Sequence, residues 1–358
     1  MVMVIRVFES RAPKVVIPDT NFIVDLDDWI NGRAGAGERL RESFSAILSA
    51  RSDGGPVTVS RWPALAEYAW SRIPDLGVGC EDLDERLNLA AKNTRLLHEV
   101  FDRLFHSKGR DGWLTGSPPG WVRALKKESL TPLVYHKWTV SAGNEAWITR
   151  SATALLAFSK LEPINKGANE RFRVELFSRY LEIAVDRAGT IGSLEAIYTL
   201  LRLFAPSPKG RLVEGVDPFA VVKVKRPWRS QTLLVQDTLN TVRDLAMVRY
   251  AHDAAMGCGH FDESGPRPSA ILTSDRGLQA FANWMPSPDF VRKGVIAYDL
   301  SGVLSRLNIE DETRRMLSEV LLSVEVGAVR RIDGRADDHD DLGEVTANLF
   351  DLASELVE

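Results

Sequence analysis

The order of apolar and polar positions along the chain follows two rhythms. Near the start, the β-branched run Val15–Ile17 ends at Pro18-Asp19, and Phe22–Ile30 continues with helical spacing. Arg33–Gly37 interrupts that pattern, after which Leu40, Phe44, Ile47 and Leu48 predict an amphipathic helix over Glu38–Ser49. Asp53-Gly54-Gly55-Pro56 reads as a turn and Val57–Val59 as a second strand. Ser60 then caps a helix over Pro63–Arg72, whose early proline suits a first helical turn. With an edge strand in Met3–Phe8, this is strand, helix, strand, helix on short links, the rhythm of an α/β sheet.

From about residue 80 the helical period dominates. Asp82–Phe105 carries Leu83, Leu87, Ala90, Leu97, Phe101 and Leu104 near helical spacing, and Gly109–Gly120 reads as a loop. Helices follow over Trp147–Lys160, Glu170–Asp186 and Ser193–Phe204, then a loop at Pro206–Gly215 and a strand or bridging segment at Phe219–Val224. The first rhythm resumes with a helix over Asp237–Met256, a strand at Ala270–Thr273, a helix over Leu278–Trp284 and a strand at Val295–Tyr298. Helices at Ser301–Leu307, Glu312–Val324 and Leu342–Val357 close the chain, with a solvated acidic run at Asp337–Asp341. The pattern divides into 1–79, a mainly helical block 80–235, a resumed α/β part 236–330, and an acidic tail 331–358.

Composition changes this picture in two places. The 358 residues, with 44% hydrophobic and 26% charged positions, are those of a folded chain with a full core. Two cysteines, Cys80 and Cys258, exclude a disulfide scaffold or a cysteine-based zinc site, and the six histidines show no zinc-ligand spacing. The N-terminal apolar run is short and broken by Arg6, so a cytoplasmic protein without a membrane partner is expected. The net charge of -4 conceals a split. Residues 331–358 hold nine Asp or Glu against two Arg, whereas residues 101–235 hold 21 Lys or Arg against 12 Asp or Glu. A basic middle suits a polyanion or a solvated surface. Its best electrostatic candidates are Lys126, Lys127, Lys223, Lys225, Arg226 and Arg229; its tryptophans, Trp113 and Trp121 among them, fit a helical core or base stacking.

The candidate chemistry is acidic. Asp19 follows the first strand, Glu67 lies in the helix after the second, Asp244 lies in the helix that opens the resumed part, and Asp275 follows the strand Ala270–Thr273. Parallel neighbouring strands would bring their carboxyl ends to one crevice. Clustered carboxylates are costly unless a cation neutralises them, and all-oxygen ligands suit Mg2+ or Mn2+. Three of these acids also have a plainer reading: Asp19 as a turn or cap residue, Asp275 as a turn residue and Glu67 as a helix-surface charge. Asp237 lies seven residues before Asp244, as a cap or as a further acid on the same face, and Asp253 as a solvated position. Arg276 would contact phosphate or pair with an acid.

These segments, VVIPDTNFIV, VTVSRWPALAEYAW, VRDLAMVRYA and AILTSDRGLQAFA, resemble those of PIN-domain nucleases. The resemblance covers roughly 15–75 and 237–305, and the block 80–235 departs from it. It implies an α/β fold: a PIN-like parallel-sheet domain with helices on both faces, plus a large mainly α-helical insertion. It implies catalytic and metal-binding roles for Asp19, Glu67, Asp244 and Asp275, with Asn21, Ser60 and Thr273 as polar support. The activity implied is Mg2+- or Mn2+-dependent endonucleolytic cleavage of RNA. The implied partners are RNA, an antitoxin or other protein, and a second copy of the chain. An inactive PIN-like module that binds RNA or protein is the competing reading. A different acidic phosphohydrolase is a third, although the first strand is not followed by Asp-x-Asp.

Overall fold

A computed structural model describes residues 2–7, 12–50, 57–71, 83–128, 142–161, 169–189, 193–204, 230–257, 266–285, 288–292, 295–298, 300–332 and 341–357. The chain runs through β1 (Met3–Arg6), β2 (Val15–Pro18), α1 (Thr20–Ile30), α2 (Ala36–Ser49), β3 (Thr58–Val59) and α3 (Trp62–Ser71). It continues through α4 (Leu83–His106), α5 (Arg110–Leu114), α6 (Gly120–Lys127), α7 (Ala142–Leu161), α8 (Glu170–Ala188), α9 (Ser193–Phe204) and α10 (Gln231–Met256). The last elements are β4 (Ser269–Thr273), α11 (Arg276–Trp284), β5 (Pro288–Arg292), β6 (Val295–Tyr298), α12 (Leu300–Arg306), α13 (Asp311–Ile332) and α14 (Asp341–Leu356). Two compact units result: Met1–Ser141 with Met247–Asp275, and Ala142–Ala246 with Arg276–Glu358.

The first unit holds a four-stranded sheet of order β1-β4-β2-β3. Strand β2 is parallel to both neighbours, pairing Val15 with Thr58 and with Ser269, while β1 runs antiparallel along β4. The sheet is therefore mixed, not parallel throughout. Both β2 and β4 are buried along their whole length, which explains why they read as continuous apolar runs without alternation. Their core continues through Phe22, Ile23 and Leu26 of α1, Leu40 and Phe44 of α2, and Leu97, Val100, Phe101 and Leu104 of α4. Phe22, Phe44 and Phe101 meet with ring centroids 5.6 to 6.0 Å apart. Leu114 of α5 and Val122 and Leu125 of α6 close the same core. The expected block 80–235 is thus shared between the two units, and a short helix interrupts the loop expected over Gly109–Gly120.

The second unit is mainly helical. Helix α7 packs against α8, and α14 lies on both through buried Val345, Leu349, Leu352 and Ala353. The end of the acidic tail is therefore a structural helix, anchored by apolar side chains that its net charge conceals. Strand β6, expected as a strand, pairs antiparallel with β5 in a two-stranded ribbon separate from the main sheet.

Helix α10 begins at Gln231, six residues ahead of the expected start, and Ser230 caps it by accepting the Leu233 N–H at 3.2 Å. Asp237 is consequently inside the helix rather than its cap, and its carbonyl accepts the Thr241 hydroxyl at 3.1 Å. Helix α3 likewise begins at Trp62, so Arg61, not Ser60, precedes it, and the Arg61 carbonyl accepts the Leu65 N–H at 2.9 Å. Expectations for Phe219–Val224, Lys223, Lys225, Arg226 and Arg229 lie outside the described residues. Among the described residues no helix is long and apolar enough to cross a membrane.

Candidate active site

The parallel register of β2 and β4 pairs Pro18 with Leu272, so the next residue on each strand, Asp19 and Thr273, emerges at the same lip of the sheet. The Asp19 backbone N–H fixes that step by donating to the Leu272 carbonyl at 2.9 Å. Its side chain, 5% exposed, is the N-cap of α1. One carboxylate oxygen accepts the Phe22 N–H at 3.2 Å. The other accepts the Asn21 amide at 3.3 Å and the Thr273 hydroxyl. Burial pushes the Asp19 carboxyl above its ordinary range, and the nearby Asp275 charge adds to that; the three hydrogen bonds oppose it.

Asp275 reaches the same network through its backbone, whose N–H donates to the Thr273 hydroxyl oxygen at 2.9 Å. That hydroxyl in turn donates to Asp19, so Thr273 couples the two acids. Glu67 arrives on α3, which packs against α1, and accepts the hydroxyl of Thr20, the residue after Asp19. Thr20 has a sequence signal only in hindsight, because a threonine beside a strand-end aspartate usually means a turn. Tyr250, near the end of α10 in the first unit, was missed altogether. Its phenol is pushed up to about 12, first by burial and then by the charges of Asp253 and Glu67, with Arg249 opposing. Asp253 was expected to be solvated but is 7% exposed, with Arg249 at 4.0 Å.

Asp19 also lines a cavity of about 90 Å3 together with Asp25, Arg39, Ser43 and Ser274. Asp25 pairs with Arg39 at 2.5 Å, yet burial still raises its carboxyl, and Asp28 raises it further. Asp244 and Asp237 lie half-buried on α10 in the second unit. Arg276 opens α11, with its side chain outside the described residues. Lys126 and Lys127 are exposed on α6. Ser60 donates its backbone N–H to Val16 at 2.8 Å, which holds the end of β3 to β2.

The donor set, carboxylates and hydroxyls, has the chemistry of a hard-cation site. Its described geometry is less complete: among the described residues no group of three or more His, Cys, Asp or Glu side chains is placed to hold a metal ion. Asp19 accepts two hydrogen bonds on one oxygen and one, from the Phe22 N–H, on the other, so the second oxygen keeps a lone pair that a cation could take. Comparison of the chain with protein-family models, curated proteins and solved structures finds no match.

Proposed function

We propose that the lip at Asp19 is the centre of a divalent-metal-dependent ribonuclease of PIN-like type, with Asp275 and Glu67 beside it. The observation that supports this most is the adjacent, parallel ends of β2 and β4, joined by the Asp19–Thr273–Asp275 hydrogen bonds. Asp19 and Asp275, coupled through Thr273, are the pair that would hold Mg2+ or Mn2+, which would lower the pKa of a water and stabilise charge on the phosphodiester. Thr273 and Asn21 orient the Asp19 carboxylate, and Thr20 orients Glu67. Burial of Asp19 keeps bulk water from competing for its oxygens.

The absence of a three-residue metal cluster among the described residues favours a second reading, an RNA-binding module without cleavage. Labelled single-stranded RNA incubated with Mg2+ or Mn2+ separates the two. Asp19→Asn and Asp275→Asn should each lower cleavage by about 100-fold or more, since even outer-shell changes at metal sites cost about 10- to 100-fold. Cleavage equal in the wild type and both variants would sink the lip as the site. Tight RNA binding without cleavage by the wild type would leave the binding module.

A further inference from the structure

Helices α4 and α6 pack against the core of the first unit and each carries exposed cations. On α6, Val122 and Leu125 are buried, while Arg123, Lys126 and Lys127 are exposed three and four residues apart, hence on one face. Arg103 and Lys108, at the end of α4 and just beyond, are exposed as well. Among the described residues none of these five has a carboxylate within 4.0 Å. Elsewhere in the unit Arg33, Arg39, Arg61 and Arg95 each meet one, at 2.5 to 2.7 Å. Lys126 instead donates to the Asn31 side-chain oxygen at 2.8 Å, a neutral partner that positions the ammonium without cancelling its charge.

Aromatic support accompanies the charge. The Arg103 guanidinium lies 5.4 Å from the ring centre of Trp121, and Trp121 meets Trp113 edge-on at 5.6 Å. An arginine placed over an indole is a pairing on which a nucleobase can stack in single-stranded recognition. Asn31 follows the last residue of α1, and Asp19 precedes its first. Twelve helical steps between them span roughly 18 Å. A strand held at Lys126 therefore reaches the lip several nucleotides away.

We propose that the exposed cations Arg123, Lys126 and Lys127 of α6, with Arg103 and Lys108 at the end of the neighbouring α4, form a backbone-binding surface for single-stranded RNA, remote from the bond that is cleaved. This rests on the RNA-directed reading of the lip for its substrate class, but not on cleavage. Each cation that neutralises a phosphate adds about 0.7 to the slope of log K against log salt for a single strand.

The test measures binding of a fluorescent 20-nucleotide oligouridylate to the full chain, without divalent ions, across a salt series. The triple substitution Arg123→Gln, Lys126→Gln, Lys127→Gln should weaken binding at least about tenfold and lower the salt slope by about 2. Because all three side chains are exposed, unchanged circular dichroism and melting should accompany the loss. Arg33→Gln, which removes an exposed cation already paired with Asp28, should bind as the wild type does. Unchanged affinity and slope in the triple variant overturns the proposal, as does binding of polyglutamate or duplex RNA in preference to oligouridylate. If Asp19→Asn still cleaves while the triple variant loses binding, the lip reading fails and the surface stands.

Discussion

Each unit buries a carboxylate, and the two burials differ in kind. Asp19 sits at the end of a strand, held by a backbone N–H, an amide and a hydroxyl, and lines a cavity. Glu195 of α9 is fully enclosed in the helical core of the second unit, where it accepts the Ser151 hydroxyl from α7. Tyr180 of α8 lies close enough that Glu195 adds to the upward push that burial gives its phenol. Burial and a hydroxyl partner are thus common to both, and they do not by themselves mark a functional acid. Access and neighbours separate them: Asp19 has a second acid coupled through Thr273 and a cavity at its side. Glu195 is enclosed in a packed helical core and accepts a hydroxyl from a neighbouring helix.

Acid should separate the units most strongly. His252 is buried in the first unit, and burial holds its imidazole down to about 3. The unfolded chain takes up a proton near pH 6.5 while the folded one does not, so this contribution to stability is complete above that pH. It is lost as pH falls from about 6.5 towards 3, by about 1.4 kcal/mol per pH unit. Hydrogen exchange at pH 7 and pH 4.5 should show the first unit losing roughly 3 kcal/mol of protection, with His252→Gln flattening the loss. A second unit that weakens equally in step would show that the difference does not lie in His252.

A pair of hydroxyl deletions sharpens the comparison at smaller scale. Thr273→Val and Ser151→Ala each take one donor from a buried carboxyl and should each cost about 1–3 kcal/mol in urea unfolding. Their effects on RNA cleavage should diverge. Thr273→Val loosens Asp19 and should lower the rate by about 10-fold or more, whereas Ser151→Ala should leave it within about twofold. Equal losses of cleavage in the two would make the lip no more special than the helical core.

Much of this architecture is legible in the residues themselves. Val15–Ile17, Ala270–Thr273 and Ser193–Phe204 are strands and a helix because apolar runs and helical spacing leave little choice. Helix α10 was read late because it is buried on nearly every side and lacks the stripe that marks an amphipathic helix; its first turns carry Thr232, Leu233 and Gln236 exposed among buried Leu234 and Val235. The ribbon of β5 and β6 escaped because a local pattern does not name a strand's partner. At the site, strand-end position pointed to Asp19 and Asp275, since register between neighbouring parallel strands follows from their buried lengths. Thr20 and Tyr250 had no such signal: their relation to Glu67 depends on how helices pack, which no spacing along one segment encodes.

The smallest expected effect is the most discriminating, because it separates the structural from the chemical role of Asp19. Asparagine caps helices about as well as aspartate, so Asp19→Asn keeps an acceptor for the Phe22 N–H. It also removes the ionisation that burial and Asp275 disfavour. The sign follows from the raised carboxyl. As pH climbs past the ordinary aspartate value of 3.8, the unfolded chain loses its proton before the folded one, and the wild type gives up stability until Asp19 itself ionises. Asp19→Asn should therefore match the wild type near pH 3.5 and equal or exceed it in stability at pH 7, read from urea midpoints. A variant less stable than the wild type at pH 7 would mean that the ionised carboxylate is what Thr273, Asn21 and the helix end are built to hold, making Asp19 chiefly a structural cap. A variant that gains stability while losing cleavage would be the signature of an acid kept at a cost to the fold, as expected of a residue retained for its chemistry.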